Sequence, residues 1–315
     1  SGFALHGRPE PFPLTWTRWD PIGVSWSRPA MLTSMAFLGP AGTYGEQACR
    51  RLAALCGSPE AERCPQATIR AVVMALLEQR VDAAVVPVEN SVEGGVTSCS
   101  DLLWQSGQQG HGALVIEHAL ILPIRHALLA DGSLEQITEV LSHPQALAQC
   151  SSWLQQNLPQ ALQLPTSSTA EAARLVRGSR FRAAVASRQA GQEQGVAELA
   201  YPINDQPGNC TRFLLLRRGP QPKPAQASRT SLAFSLHANA PGALLQALEI
   251  FAARDLNMSR IESRPSKREL GEYVFFVDLE AAGPPVDEVC AALQPLCERL
   301  SSFGSYPITD DTVSP

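Results

Sequence analysis

No CxxC pair and no His-rich companion segment occur among the eight cysteines and six histidines of this chain, so the spacing offers neither a zinc site nor a redox dithiol. The cysteines, at 49, 56, 64, 99, 150, 210, 290 and 297, are scattered as free thiols in a reducing compartment would be. Basic clusters are missing as well. With 25 Lys and Arg against 30 Asp and Glu, the net charge is -5, which excludes the dense positive footprint of a protein that binds nucleic acid or an anionic membrane face. No uncharged apolar run reaches the roughly 18 residues of a membrane span, and the first 30 residues lack the apolar core of a secretory signal. The expectation is a soluble, cytoplasmic protein with no metal, no cofactor, no nucleic acid and no membrane partner.

What is present reads as globular: 315 residues, 44% hydrophobic and 17% charged, enough for two or three domains. The first 30 residues are rich in Pro, Trp and Arg, hold Trp16, Trp19 and Trp26, and show no apolar period. Residues 1–34 are expected to be an extension outside the fold. From Met35 onward, short apolar strands run repeatedly into polar junctions that carry capping-box spacing: Thr43 with Glu46, Asn90 with Glu93, Ser142 with Gln145, and Ser168 with Glu171. Between them lie helical patterns at 69–80 and 144–158. Strand and helix alternate over 35–217, predicting an α/β domain with a mostly parallel sheet system, and 113–124 reads as long strands crossing between two lobes. In open parallel sheets the carboxyl ends of the strands face one crevice, where helix N-termini attract anions. A small substrate with more than one carboxylate would suit such a cleft.

The stretch Asp205-Gln-Pro-Gly-Asn-Cys-Thr-Arg-Phe213 places a turn, an amide, a hydroxyl and a guanidinium at the entrance of the apolar run Leu214–Leu216. Rigid support behind polar groups is what a site needs, although a loop that merely enters a strand would read the same way. Residues 218–228 form a proline-rich linker. Beyond it, 229–315 follow the order strand, helix, strand, strand, helix, strand, a ferredoxin-like unit with its second helix expected at 286–300 and its last strand at 302–308.

Taken together, Gly39-Pro-Ala-Gly-Thr-Tyr44, Val86-Pro-Val-Glu-Asn-Ser91 with Gly94-Gly-Val96, Ser142-His-Pro-Gln-Ala146 with Gln149-Cys150, Ser168-Thr-Ala170 and Asn209-Cys-Thr-Arg-Phe213 resemble the motifs of prephenate dehydratases. The C-terminal block resembles an ACT regulatory domain, through Gly242-Ala-Leu-Leu245 and Glu262-Ser-Arg-Pro265. The resemblance implies a bilobed, periplasmic-binding-protein-like catalytic domain over 35–217 and an ACT domain over 229–315. It further implies prephenate as substrate, L-phenylalanine as effector, and a homodimer or homotetramer. By the family pattern Thr211 is catalytic, and Thr43, Asn90, Ser91, Ser142, Gln145, Gln149, Thr169, Asn209, Arg212 and Phe213 bind substrate. Gly242, Ala243, Leu244, Leu245, Glu262, Ser263, Arg264 and Pro265 bind the effector. Arg212 would either clamp a carboxylate or pair with an acidic neighbour, and His143 would be either an acid–base group or a structural residue. Gly45 departs from the family, which more often has Ser or Thr there, as does Cys99-Ser-Asp101 where Thr-Leu-Asp is usual. Arogenate dehydratase, and a catalytically silent amino-acid sensor, are the competing readings.

Overall fold

The computed structural model describes residues 31–106, 114–220, 226–237, 240–266 and 272–313. Most of the expected N-terminal extension and the centre of the expected linker, 221–225, lie outside the described residues. The fold starts earlier than the extension implied. Leu32 is buried, its N–H donates to Ser58 Oγ at 2.9 Å, and the first strand already includes Ser34.

The first lobe runs β1 (Ser34–Leu38), α1 (Tyr44–Leu55), β2 (Glu62–Gln66), α2 (Ile69–Leu77), β3 (Ala83–Asn90), β4 (Gly94–Gly95), α3 (Thr97–Ser106) and β5 (Leu114–Pro123). The chain then crosses to a second lobe of β6 (Ala127–Leu129), β7 (Glu139–Ser142), α4 (Pro144–Gln149), α5 (Ser151–Asn157), β8 (Leu162–Pro165), α6 (Thr169–Val176), β9 (Arg182–Ala186), α7 (Arg188–Gln194) and β10 (Glu198–Ala200). It returns through 201–209 into β11 (Cys210–Arg218), which inserts between β5 and β3. Because the chain leaves along β5 and comes back along β11, these two pair antiparallel, and β11 is antiparallel to β3 as well. In the second lobe β6 runs antiparallel to β9 and β10, so both lobes carry mixed sheets, where a mostly parallel system was expected. Parallel pairing holds for β2, β1 and β3 in one lobe and for β8, β7 and β9 in the other.

The helix expected over 144–158 is two helices, broken at Cys150 (φ -121°, ψ 14°). Asp205, on the return crossing, accepts the N–H groups of Ser152 at 2.9 Å and Trp153 at 3.1 Å, while its own N–H donates to the Gln149 carbonyl at 2.8 Å. A distant carboxylate thus caps the second helix and pins the end of the first.

The C-terminal unit is β12 (Arg229–Leu236), α8 (Ala243–Ala252), β13 (Met258–Pro265), β14 (Tyr273–Leu279), α9 (Pro284–Leu293) and β15 (Cys297–Tyr306), with sheet order β13-β14-β12-β15. This is the ferredoxin-like arrangement. The second helix stops at Leu293, short of the expected 300, because Pro295 cannot continue it. The last strand correspondingly begins at Cys297. Past Pro307 the chain leaves this unit, and β16 (Ile308–Asp310) joins the first-lobe sheet parallel to β5. One face of the C-terminal sheet is covered by α8 and α9 around Phe234, Phe251 and Val277. The other face contributes Ala233, Val274, Phe276, Phe303 and Tyr306 to a core shared with Leu103, Trp104, Leu214 and Leu216 of the first lobe. Full burial of such side chains stabilises by about 1.5–3 kcal/mol each. Among the described residues, no helix is long and apolar enough to cross a membrane.

Candidate active site

Strand periodicity decides what β11 can present. Successive side chains alternate between faces, and in β11 Phe213 and Leu215 pack with Phe37, Leu52 and Leu120 while Leu214 and Leu216 pack with Phe276 and Tyr306. Thr211 thus shares a face with Phe213, and Arg212 must point the opposite way. A cleft between the lobes, a cavity of about 390 Å³, opens on the Thr211 side, lined by both Thr211 and Phe213.

The Thr211 hydroxyl is set by β3. Asn90 lies directly across the ladder, and its Nδ2 donates to Thr211 Oγ1 at 2.9 Å and to Asn209 Oδ1 at 3.0 Å. The Asn90 Oδ1 accepts the N–H groups of Val92 (2.9 Å) and Glu93 (3.1 Å), so the amide cannot flip without losing both. A hydroxyl carries one donor and two acceptor positions. Having accepted from Asn90, Thr211 keeps its proton, and no acceptor for it stands among the described residues. The network continues from Asn209, whose Nδ2 donates to Gln149 Oε1 at 3.1 Å. Gln149 Nε2 in turn donates to Glu93 Oε1 at 2.8 Å. His126 Nε2 also reaches Gln149 Oε1, at 2.9 Å. With an acceptor opposite it, the neutral ring carries its proton on Nε2. Burial holds the His126 pKa below the ordinary 6.5, although the Gln149 bond opposes this. Tyr44 stands edge-on to that ring, with its hydroxyl donating to the Arg125 carbonyl at 2.7 Å, and burial raises its pKa above the usual phenol value.

Of the expected substrate-binding residues, Thr43, Asn90, Gln145, Gln149, Thr169 and Phe213 line the cavity with Thr211. Asn209 lies behind them, 2% exposed, as a brace between Asn90 and Gln149. Three others are placed elsewhere. Ser142 is fully buried and donates to the Val185 carbonyl at 2.6 Å, tying β7 to β9. Ser91 Oγ accepts the Cys210 N–H at 3.0 Å and so fixes the entrance of β11. Arg212 projects to the far face, where Nη2 lies 2.6 Å from Asp278 Oδ2 and 3.1 Å from Glu89 Oε2. Burial is the largest single influence and opposes its charge, but Asp278, Tyr306 and Glu89 together outweigh it and hold its pKa above the usual arginine value.

Two of the four junctions expected to cap helices do so as anticipated: Thr43 Oγ1 accepts from Glu46 N, and Ser168 Oγ from Glu171 N at 3.0 Å. At Asn90 the strand continues into a turn instead. At the third junction His143, not Ser142, is the cap, with Nδ1 accepting the Gln145 N–H at 3.3 Å, a structural duty for that imidazole. The N-termini of α1 and α6 therefore open on the cavity, through Thr43–Gly45 and Ser168–Thr169. No Lys or Arg is among the described residues lining it; Glu93 supplies its only carboxylate there. A Cβ at Gly45 would stand 2.7 Å from the Leu38 carbonyl oxygen, so the Ser or Thr usual there would need the end of β1 to give way. His126 was not singled out by sequence reasoning, and Tyr44 and Glu93 were not expected as cavity residues. Tyr44 ends a quoted motif and Glu93 was named as the capping partner of Asn90, but His126 has no local signal, since its partner Gln149 is 23 residues away.

In the C-terminal unit, Gly242 takes a left-handed conformation (φ 86°, ψ -10°) at the start of α8. Along the edge strand β13, Ser263 pairs across from Phe275 on the helix-covered face. Glu262 and Arg264 fall on the other face and turn toward the first lobe: Arg264 pairs with Asp101 at 3.3 Å, and Glu262 with Arg260. The expected effector residues are thus split between the two faces of the strand.

Comparison with known proteins agrees with this architecture. The sequence profile of prephenate dehydratase matches residues 35–221, and that of the ACT domain residues 230–287. A prephenate dehydratase of Amycolatopsis methanolica is 38% identical over 284 residues, covering 89% of this chain and 90% of that protein. The crystal structure of an Arthrobacter aurescens prephenate dehydratase in complex with L-Phe superposes with a TM-score of 0.77 at 35% identity, covering 87% of this chain and 90% of that one. A protein described as a novel type of quorum-quenching acylase superposes almost as well, with a TM-score of 0.76 at 29% identity over 87% of this chain and 98% of that one. Since the fold is shared by another activity, the family assignment rests on sequence. The chain belongs to the prephenate dehydratase family, as a hydro-lyase with a C-terminal ACT domain.

Proposed function

We propose that the cleft carries out the decarboxylating dehydration of prephenate to phenylpyruvate, water and carbon dioxide, and that L-phenylalanine regulates it through the ACT domain. The C–C bond to the ring carboxylate breaks and its electron pair enters the ring. The C–O bond opposite breaks with its pair leaving on oxygen, which is protonated to water. Aromatisation drives the step, so the chemistry asks for no electron-holding cofactor. What it does require is help for a poor leaving group. The single observation that carries this reading is the Thr211 hydroxyl, fixed by Asn90 Nδ2 at 2.9 Å and left with its proton free at the cavity. A threonine hydroxyl is too weak an acid to transfer its proton beforehand. Its hydrogen bond strengthens as charge grows on the departing oxygen, which lowers the barrier selectively.

The amide N–H groups at the starts of α1 and α6 offer positive ends for the side-chain carboxylate. Regulation is supported by the L-Phe complex of the Arthrobacter relative and by the positive-φ Gly242 at the head of α8. We read the effector site as Gly242–Leu245 together with Ser263 and Pro265, and the chain as a cytoplasmic homo-oligomer associating through its ACT units. The exposed Leu245, Ile261 and Tyr273 near the edge strand support that association.

One observation favours a second reading within the same chemistry. The Glu93 carboxylate lines the cavity with only Oε1 engaged by Gln149, and a carboxylate there suits the ammonium of arogenate, where prephenate has a keto group. Turnover of the two purified substrates by wild type and Thr211→Ala, followed by ultraviolet absorbance of the aromatic product, tests the proposal. Loss of one such donor typically costs about 10²- to 10³-fold in rate. A folded Thr211→Ala protein within tenfold of wild type on both substrates would refute the role of the hydroxyl. Adding L-phenylalanine to the same assay should change the rate; an unaltered rate would refute regulation.

A further inference from the structure

The arginine adjoining Thr211 is embedded in the boundary between the catalytic sheet and the ACT sheet. Arg212 is 8% exposed and Asp278, on β14, is 4% exposed. The guanidinium bridges two carboxylates, Asp278 at 2.6 Å and Glu89 at 3.1 Å, and Glu89 lies directly across β3 from Arg212, next to Asn90. Asp278 is itself fixed by Ser231 Oγ, 2.6 Å from Oδ1, and Ser231 meets the Tyr306 hydroxyl at 2.6 Å. Tyr306 ends the last ACT strand, immediately before the segment that joins the first-lobe sheet beside β5.

The ladder shows why this ion pair matters to Thr211. Pairing between β11 and β3 slips by one residue between Arg212 and Phe213, so that Phe213 faces Pro87 while Arg212 faces Glu89. A bulge of this kind interrupts the ladder and re-aims side chains. The extra residue is Val88, in β3, whereas β11 keeps one register with β5 from Cys210 through Leu215. What lies beyond the bulge is the end of β3 that carries Glu89 and Asn90, the residue that holds the Thr211 hydroxyl, and Arg212, on the face opposite Thr211, ties that end to the ACT sheet through Glu89 and Asp278.

We propose that Arg212 and Asp278 form a positioning pair for the catalytic hydroxyl, with the ACT sheet supplying the carboxylate that sets where Thr211 stands. The ACT unit is then a structural part of the catalytic strand and not only a binding site for an effector. This rests on the reading of Thr211 given above. A displacement of about 1 Å at a reacting group can cost about 10²-fold in rate. In the full-length chain, Asp278→Asn should lower kcat about 10- to 100-fold while KM stays within about twofold, because no cavity-lining residue is altered. The decisive readout is the double variant. If Asp278 acts through the Thr211 hydroxyl, adding Asp278→Asn to Thr211→Ala should slow it by no more than about twofold, whereas general destabilisation would multiply the losses.

A folded Asp278→Asn protein with wild-type kcat overturns the proposal, as does a loss that multiplies in full on the Thr211→Ala background. Should Asp278→Asn fail to fold, the apolar pair Arg212→Met with Asp278→Leu takes its place, since such replacements of buried ion pairs are often tolerated; wild-type kcat in that protein would equally overturn it. If wild type turns over neither substrate, the proposed reaction fails instead. Hydrogen exchange at the Thr211 amide then reads the strand directly. It should quicken at least about tenfold in Asp278→Asn, and unchanged exchange refutes the pair.

Discussion

Replacing Asn90 by Asp changes one atom of the cleft and tests the Thr211 hydroxyl more sharply than deletion does. The native amide donates to Thr211 Oγ1 at 2.9 Å and accepts the N–H groups of Val92 and Glu93 through Oδ1. In Asn90→Asp the accepting oxygen and both turn hydrogen bonds persist, so the β3 turn should hold. The donor becomes a carboxylate oxygen facing a hydroxyl, and the Thr211 proton turns toward it and away from the leaving oxygen. The loss should approach that of removing the hydroxyl, about 10²- to 10³-fold in kcat. A second effect comes from charge. A carboxylate about 5 Å from a substrate carboxylate, at an effective dielectric near 20, repels it by about 3 kcal/mol, or about 10²-fold in binding. Steady-state turnover should therefore show kcat falling and KM rising together, and a melting curve within a few degrees of wild type would confirm that the fold is kept. A kcat within threefold of wild type would refute the idea that Asn90 orients a donating hydroxyl.

Ser142→Ala separates burial from recognition. Deleting a buried hydroxyl that bonds the Val185 carbonyl at 2.6 Å should cost about 1–3 kcal/mol of stability by denaturant titration, with KM unchanged within twofold; a tenfold rise in KM would return Ser142 to the cleft. The pH dependence of stability should carry a His126 signature. Burial depresses its folded pKa below the 6.5 of the unfolded chain, so its contribution is complete above pH 6.5. As pH falls below that value the unfolded state takes up a proton first and stability declines. In His126→Gln the melting temperature should fall less steeply between pH 7 and pH 5 than in wild type, and an identical slope would refute a neutral, buried imidazole.

Much of this arrangement is legible in the sequence because it is local. Thr43 and Ser168 cap helices at the spacing their sequences advertise, and Phe213–Leu216 is a buried strand. The element order of the ACT unit also follows from periodicity. The parts that escaped depend on distant partners. Asp205 breaks the 144–158 helix in two from the return crossing, and Ile308–Asp310 joins a sheet whose first strand begins at Ser34. The opposite facing of Thr211 and Arg212 is a different case. Alternation within the apolar strand implies it, but reading Asn209–Phe213 as a cluster of polar groups at one site conceals the period of two. Ser142 and Ser91 misled for a related reason: a hydroxyl beside a motif is indistinguishable, in sequence, from one that ties two strands together.

Of the two expectations for Arg212, pairing with acidic neighbours also fits the proposed reaction better than a carboxylate clamp. Prephenate bears two carboxylates, and one of them leaves as neutral carbon dioxide, so its negative charge drains away toward the transition state. A guanidinium gripping that group bidentately would bind the ground state more strongly than the transition state and raise the barrier. The described residues lining the cleft contain no Lys or Arg. Helix N-termini, worth about 0.3–1 kcal/mol each at exposed sites, and a neutral amide such as that of Gln145 hold an anion more loosely, and lose less when its charge disappears. Strong donation is wanted instead at the oxygen where charge appears, and there the Thr211 hydroxyl stands with its proton uncommitted. A cation next in sequence to that hydroxyl, turned to the opposite face and held by Asp278 and Glu89, can steady the strand without stabilising the carboxylate that has to depart.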